Sequence, residues 1–326
     1  MTATGWRVRR IDEATWLPAD VVDGVESVSI RRSTGKDAPL LESASLDVTG
    51  LLDEGYYRVE MADGGIWTSV ATMLFSPENP EYSKRAWGGG NSGRSVLAPA
   101  SEKRFEPGSY APRGADGAEW IAARLAECIV APVETIGTFS LSEHAVFDIG
   151  ASYLDGIWKV LDAVGWCMQV SGEGVVTVRE IPAEPKMTVS ESSGILMPGI
   201  SRTPIPVDTP NVLRVYDGDD MAEAVDDDPE SPTSVQARGR VIEAVEDGPT
   251  RREGETLQQY AERRLAELTD VYETYSVRRE HAGMLPYDIW DSNLPEPGLC
   301  GLFRVTDQAI ECERGVTVEE KWGRLS

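Results

Sequence analysis

The strongest candidate for a metal site in this sequence is the acidic run Asp226-Asp227-Asp228 with Glu230, because hard carboxylate oxygens suit Ca²⁺. The run lacks the alternating DxDxDG spacing with a distal Glu that wraps a chain around one ion. Its Asp228-Pro229 and Ser231-Pro232 dipeptides enforce turns, so a solvated loop is the favoured reading, with Asp226, Asp227 and Asp228 left as candidate ligands. A nucleophilic site can be written around His144 in SLSEHAVFD, where Ser142, Glu143 and Asp148 lie close in sequence. Ser142 has no GxSxG elbow and no oxyanion-forming glycine turn beside it, so His144 reads as an ordinary loop histidine and no catalytic residue is assigned. His281 ends a strand-like run and has no evident partner in sequence. Gly88, Gly90 and Gly93 satisfy GxGxxG, yet Pro99 and Pro107 follow and no helical period opens after them. A dinucleotide loop needs that helix, so a flexible glycine loop is expected and no cofactor.

The four cysteines, Cys128, Cys167, Cys300 and Cys312, are widely separated and show no CxxC pair, so buried free thiols are expected. Cys300 and Cys312 could lie on adjacent strands and form a disulfide, but a cytoplasmic origin weighs against it. Among the nine tryptophans, Trp120, Trp158 and Trp166 fall on apolar stripes or strands and belong to a core. Trp87 and Trp290 sit in loop-like contexts, free to stand at an interface or on a sugar-binding face.

Composition narrows the classes. With 326 residues and 41% hydrophobic content the chain is long enough for two or three domains with ordinary cores. The 55 acidic against 31 basic residues give a net charge of -24, which argues against any protein whose affinity comes from neutralising phosphates. An acidic wall does suit a conduit through which DNA slides without being held; plain solubility is the other account of the same charge. The opening MTATGWRVRRID lacks a signal-peptide core, and no window approaches the roughly 20 apolar residues of a membrane span, so synthesis in the cytoplasm is expected.

Elements follow from periodicity. Val25 to Arg32, Ala44 to Val48, Tyr57 to Met61 and Ile66 to Phe75 alternate as strands, with a hairpin turn at Asp63-Gly64-Gly65, and their apolar face predicts a barrel or sandwich. Residues 76–117 read as an irregular connection. Asp116 caps a helix carrying Trp120, Ile121, Leu125, Cys128 and Ile129. A second helix after Ser152 carries Leu154, Ile157, Trp158, Leu161 and Val164 and stops at Gly165; a hairpin of Trp166 to Val170, SGEG and Val175 to Ile181 follows. Beyond a proline-rich stretch, Asn211 to Asp217 is a strand, residues 221–240 a loop, and Thr256-x-x-Gln259 opens a helix with Leu257, Tyr260, Ala261, Leu265, Leu268 and Tyr272 on one face. Glu273 to Glu280, Gly301 to Thr306, Gln308 to Cys312 and Val316 to Trp322 alternate as strands. The domain reading is a β-rich 1–100, a small α/β 101–190, and a second β-rich 191–326 with an inserted helix.

Three separated segments resemble the hub proteins at the end of bacteriophage tails: VESVSIRRSTGKDAPLLESASLDV, GWCMQVSGEGVVTVREIP, and VLRVYDG through DDDPESPTS to LQQYAERRLAEL. The resemblance implies an α+β, β-rich fold of two tube-type β-barrel domains with small α/β domains attached. It implies a non-enzymatic homotrimer whose ring joins a hexameric tail tube or distal tail ring to a threefold tip. Its partners would be further copies of itself, a distal tail or tail-tube protein, a tape-measure protein, and a tip, spike or receptor-binding protein, with genomic DNA only as passing cargo. The location would be the virion tail. Because the sequence given stops at Ser326, just after its last β-like segment, wall digestion or receptor binding is expected of a separate protein. A carbohydrate-binding or cell-wall-hydrolysing tail component is the alternative, and an oligomeric adaptor unrelated to phage a third.

Overall fold

Period-two alternation over the first hundred residues is realised as antiparallel strands. The computed structural model describes residues 5–35, 38–50, 52–78, 81–83, 86–141, 144–193, 195–249, 255–269, 273–296 and 298–325. In chain order the strands are β1 (Trp6–Asp12), β2 (Leu17–Val21), β3 (Val25–Gly35), β4 (Ala38–Val48), β5 (Gly55–Asp63), β6 (Ile66–Pro77), β7 (Glu81–Ser83) and β8 (Ala86–Arg94). Gly64 and Gly65 take φ of 54° and 87° and join Asp63 to its cross-strand partner Ile66. Two successive positive φ values are what a tight hairpin following the strand twist requires. Val8, Val28, Ile30, Leu46, Tyr57, Val59, Met73 and Phe75 fill the core beneath this sheet.

β8 corrects the reading of Gly88, Gly90 and Gly93 as a flexible loop. The segment is a strand between β4 and β6, and a Cβ on Gly93 would lie 2.6 Å from the Phe75 ring and 2.7 Å from the Ala44 Cβ. Gly93 is there for a close approach, one of the reasons glycine occurs inside strands.

The next segment holds α1 (Ala98–Glu102), β9 (Tyr110–Ala111), α2 (Gly117–Ala126), β10 (Val133–Ile136), β11 (Ala145–Val146), α3 (Tyr153–Val164), β12 (Trp166–Val170) and β13 (Val176–Glu180). β12 and β13 form the expected hairpin, and β10 adds parallel to β13. Asp116 caps α2 by accepting from the Ala118 and Glu119 amides. Ser152 and Asp155 form a reciprocal capping box on α3, and Gly165 closes it at φ 72°. Ser152→Ala removes one acceptor of that box and is expected to lower stability by about 1 kcal/mol in urea denaturation.

After β14 (Met187–Ser190) and β15 (Ser201–Thr203) come β16 (Val212–Asp217), β17 (Asp220–Val225), α4 (Val235–Arg238), β18 (Glu243–Asp247) and α5 (Leu257–Thr269). The chain then returns through β19 (Thr274–Glu280), β20 (Ile289–Asn293), β21 (Cys300–Cys312) and β22 (Val316–Arg324). It forms two compact units, Met1–Ser201 with Tyr275–Ser326, and Arg202–Thr274. In the first, β21 pairs with β3, so early and late strands share one sheet. The expected β-rich α+β content is present. Among the described residues no sheet closes on itself, so these pairings do not by themselves establish the two barrels that the resemblance implies. No described helix is long and apolar enough to cross a membrane.

Candidate functional site

The unit Arg202–Thr274 contains the acidic run. Its three-stranded sheet has the order β17-β16-β18, with β16 and β17 antiparallel and β18 parallel to β16. α5 lies on one face, where Tyr260, Ala261 and Leu265 pack against Leu213, Val215, Ala222 and Ala224. Thr256 and Gln259 cap α5 reciprocally, the Gln259 side chain accepting from the Thr256 amide at 3.0 Å and the Thr256 hydroxyl from the Gln259 amide at 3.2 Å. Tyr272, expected on the same stripe, lies outside the described residues. Residues 221–240 are less loop than the sequence suggested: Met221 to Val225 belong to β17, and α4 starts at Val235.

The true loop begins at Asp226, and its carboxylate is occupied. Oδ2 accepts from the Ser231 hydroxyl at 2.7 Å and the Thr233 hydroxyl at 2.8 Å, while the Asp228 carboxylate accepts from the Glu230 amide at 2.9 Å. Asp227 is exposed. Among the described residues no group of three or more His, Cys, Asp or Glu is gathered as an ion would require. The chemistry visible here is that of a loop held by its own side chains.

The other unit contains a polar layer within its interior. Along β21 and β22 the inward pairs are Cys312↔Val316, Ile310↔Val318, Gln308↔Glu320 and Val305↔Trp322. The first two belong to the core under β3 and β4, and the last to a second core with Tyr275, Val277, Trp290 and Phe303. Gln308 and Glu320 lie between them. The row continues across the sheet, since Gln308 pairs with Arg32 and Arg32 with Glu42.

Glu320 is fully buried and accepts from the Arg279 guanidinium through both oxygens, with Nε at 2.9 Å. It also accepts from the Trp290 indole at 3.1 Å, the Trp322 indole at 2.8 Å and the Gln308 amide at 2.6 Å. Burial would raise its carboxyl, but the Arg279 charge and these hydrogen bonds hold it below the usual carboxylate range. Glu42 accepts from Arg32 at 2.9 Å and from the Ser95 hydroxyl at 2.5 Å. Such a layer is weak evidence of net stability, because desolvation opposes the Coulomb attraction, but it penalises any packing that leaves a member unpaired. Trp290, expected at an interface, is completely buried, which removes it from any sugar-binding face. The side chain of Trp87 lies outside the described residues.

His281 belongs to the same region. Burial first, and then the Arg279 and Arg32 cations, push its pKa down to about 4, with Glu320 opposing. The unfolded chain therefore binds a proton that the folded chain refuses as pH falls from about 6.5 to about 4, and stability must drop across that window. Thermal melts between pH 7 and pH 4.5 are expected to show a shallower decline for His281→Gln than for the parent chain.

A second joint involves the turn between β12 and β13. Thr72 donates to the Gly172 carbonyl at 2.8 Å, and Arg58 and Trp16 donate to the Glu173 carbonyl at 2.7 and 2.8 Å. The sequence marked SGEG as a turn; the structure shows it seated on β6. Gln169 on β12 donates to the Pro286 carbonyl at 2.8 Å and to Asp288 at 3.0 Å. The small α/β segment is thus fastened to β-strands that precede it and to a loop that follows it.

The remaining candidates are dispersed. His144 is exposed, accepts from the Arg113 amide at 3.0 Å and meets Tyr110 edge-on; Ser142 and Glu143 lie outside the described residues, and Asp148 is exposed. Cys167 and Cys312 are buried, and burial pushes both thiols up to about 12. Cys128 is half-buried and Cys300 exposed, so the expectation of four buried thiols is corrected for Cys300. Cys300 and Cys312 end one continuous strand, roughly 40 Å apart at the rise of a β-strand, and so are not cross-strand neighbours. A recess of about 570 Å³ over Arg31, Leu41, Asp307, Glu319 and Lys321 has no aromatic ring among the described residues of its wall.

The fold is shared with solved tail proteins. Over 98% of its length the chain is similar to the tail protein from Neisseria meningitidis MC58, covering 97% of that chain with a TM-score of 0.66 and 15% identity. It is equally similar in extent, 98% and 97%, to the 43 kDa tail protein of prophage MuSo2 from Shewanella oneidensis, with a TM-score of 0.70 and 11% identity. The Escherichia coli c3393 protein, a type VI secretion component with structural similarity to T4 tail proteins gp27 and gp5, matches 93% of the chain and 74% of its own at a TM-score of 0.50 and 8% identity. At these identities the fold is what is shared. No protein-family model matches the sequence, and no curated protein matches it.

Proposed function

We propose that this chain is a non-enzymatic structural protein of a phage-type tail, acting as a homotrimeric hub between the tail tube or distal ring and the tip. The observation that carries the reading is end-to-end similarity of fold: 98% of this chain aligns with 97% of each of two tail proteins. In the proposed ring each chain contributes its early and late β-rich portions as two tube-type modules, so three chains give six. The net charge of -24 suits a wall past which DNA moves unheld. The neighbours would be a distal tail or tube protein, a tape-measure protein and a tip or spike protein, in the virion tail. Mass measurement of the purified chain, alone and with the adjoining tail protein, is the test. A species near three times the 35.6 kDa chain supports the ring, and a strict monomer at high concentration in both samples overturns it.

A further inference from the structure

We infer that the face of the β17-β16-β18 sheet opposite α5 is a docking surface for a segment of another tail protein that carries an apolar centre within a rim of lysine or arginine. The inference rests on the tail reading above. Alternation sends Leu213, Val215, Ala222 and Ala224 toward α5, so Arg214, Tyr216, Met221, Glu223, Val225 and Val245 must point the other way. Register sets them in rows: Tyr216 beside Met221, Glu223 beside Arg214, and Arg214 beside Val245. A solvated sheet face is ordinarily polar. Here Val245 is 60% exposed, Met221 55%, Val225 46% and Tyr216 38%. Large apolar side chains grouped on one exposed face mark a surface that associates.

Charge selects the occupant. Between Arg202 and Thr274 the sequence has eighteen acidic and eight basic side chains. The described arginines are all engaged within the unit. Arg214 at the centre of the face is bound by Glu223 at 2.7 Å and Glu243 at 2.9 Å, Arg263 by Glu255, Arg264 by Glu246, and Arg202 by Glu273. Arg238 and Arg240 donate to the carbonyls of Pro206, Val207 and Thr209. By strand parity Glu223, Glu243 and Asp247 share this face with Arg214, so its apolar side chains stand among net negative charge. A second copy of this chain would bring the same sign of charge to the contact, whereas a cationic rim is complementary.

The test places a photoreactive benzoylphenylalanine at Val245, and separately at Met221, in the full chain within assembled tails, and maps cross-links by mass spectrometry. The expected result is a cross-link to a Lys/Arg-bearing segment of a different tail protein. Its yield should fall at least fivefold when Val225→Glu is added to the Val245 probe, while melting temperature is unchanged. Cross-links only within the same chain, only to a second copy, or none in tails that contain the chain overturn the docking surface while leaving the tail reading intact. Tails that lack the chain altogether overturn both.

Discussion

Glu320→Ala is expected to cost about 4 kcal/mol or more, the largest effect of any single substitution considered for this chain. The substitution strands a completely buried Arg279 guanidinium and leaves two indole N–H groups and the Gln308 amide short of their shared acceptor. An uncompensated buried cation is the dominant cost; the lost hydrogen bonds add to it. Urea denaturation followed by tryptophan fluorescence reports it directly, because Trp290 and Trp322 both contact the carboxylate. The double variant Arg279→Met with Glu320→Leu separates the causes. Removing both charges together should recover most of the loss, since a buried pair is often no better than well-packed apolar replacements. A double variant as unstable as Glu320→Ala would show that packing, not the stranded charge, sets the cost.

Gly172→Ala is the second large effect, at about 3 kcal/mol. A Cβ there would stand 2.2 Å from the Ser69 carbonyl oxygen and 2.7 Å from its carbon. Backbone cannot yield as a flexible side-chain end can, so the whole turn must lift away from β6. Lifting it breaks the hydrogen bonds from Thr72, Arg58 and Trp16 to the Gly172 and Glu173 carbonyls. Glu173→Ala leaves those carbonyls in place and its own side chain is exposed, so it is expected to cost less than about 0.5 kcal/mol. Measured side by side in denaturant, equal losses for the two variants would refute the seated-turn account.

The contrast between these residues shows what the sequence made legible. Local grammar was readable: the Ser152 and Thr256 caps, the Gly165 stop and the Asp63 to Ile66 hairpin all stand where their chemistry put them. β8 was not, because a strand with glycines at 88, 89, 90 and 93 has little side-chain alternation to read. β17 hid for a related reason, its inward residues being the small Ala222 and Ala224 beside an acidic run. The polar layer left a signal that parity could have found. Glu320 occupies the inward phase set by Val316, Val318 and Trp322, and Gln308 that set by Ile310 and Cys312. Arg32 likewise follows Val28 and Ile30, and Glu42 precedes Ala44 and Leu46. Each reads alone as a surface residue in a half-polar strand. Only the pairing of strands far apart in sequence brings the four into one row.

That long-range pairing has a consequence for how the chain is made. Ser29 on β3 reaches Glu311 on β21 across 282 positions of sequence. During synthesis β3 therefore waits, with one edge unsatisfied, until β21 has emerged from the ribosome. Closing so large a loop is slow, and a waiting sheet edge is a template for pairing with other chains. The unit Arg202–Thr274, whose strands and helix are contiguous in sequence, has no such delay and can complete its own core first. The nascent protein is thus most exposed to aggregation in the interval between these two events.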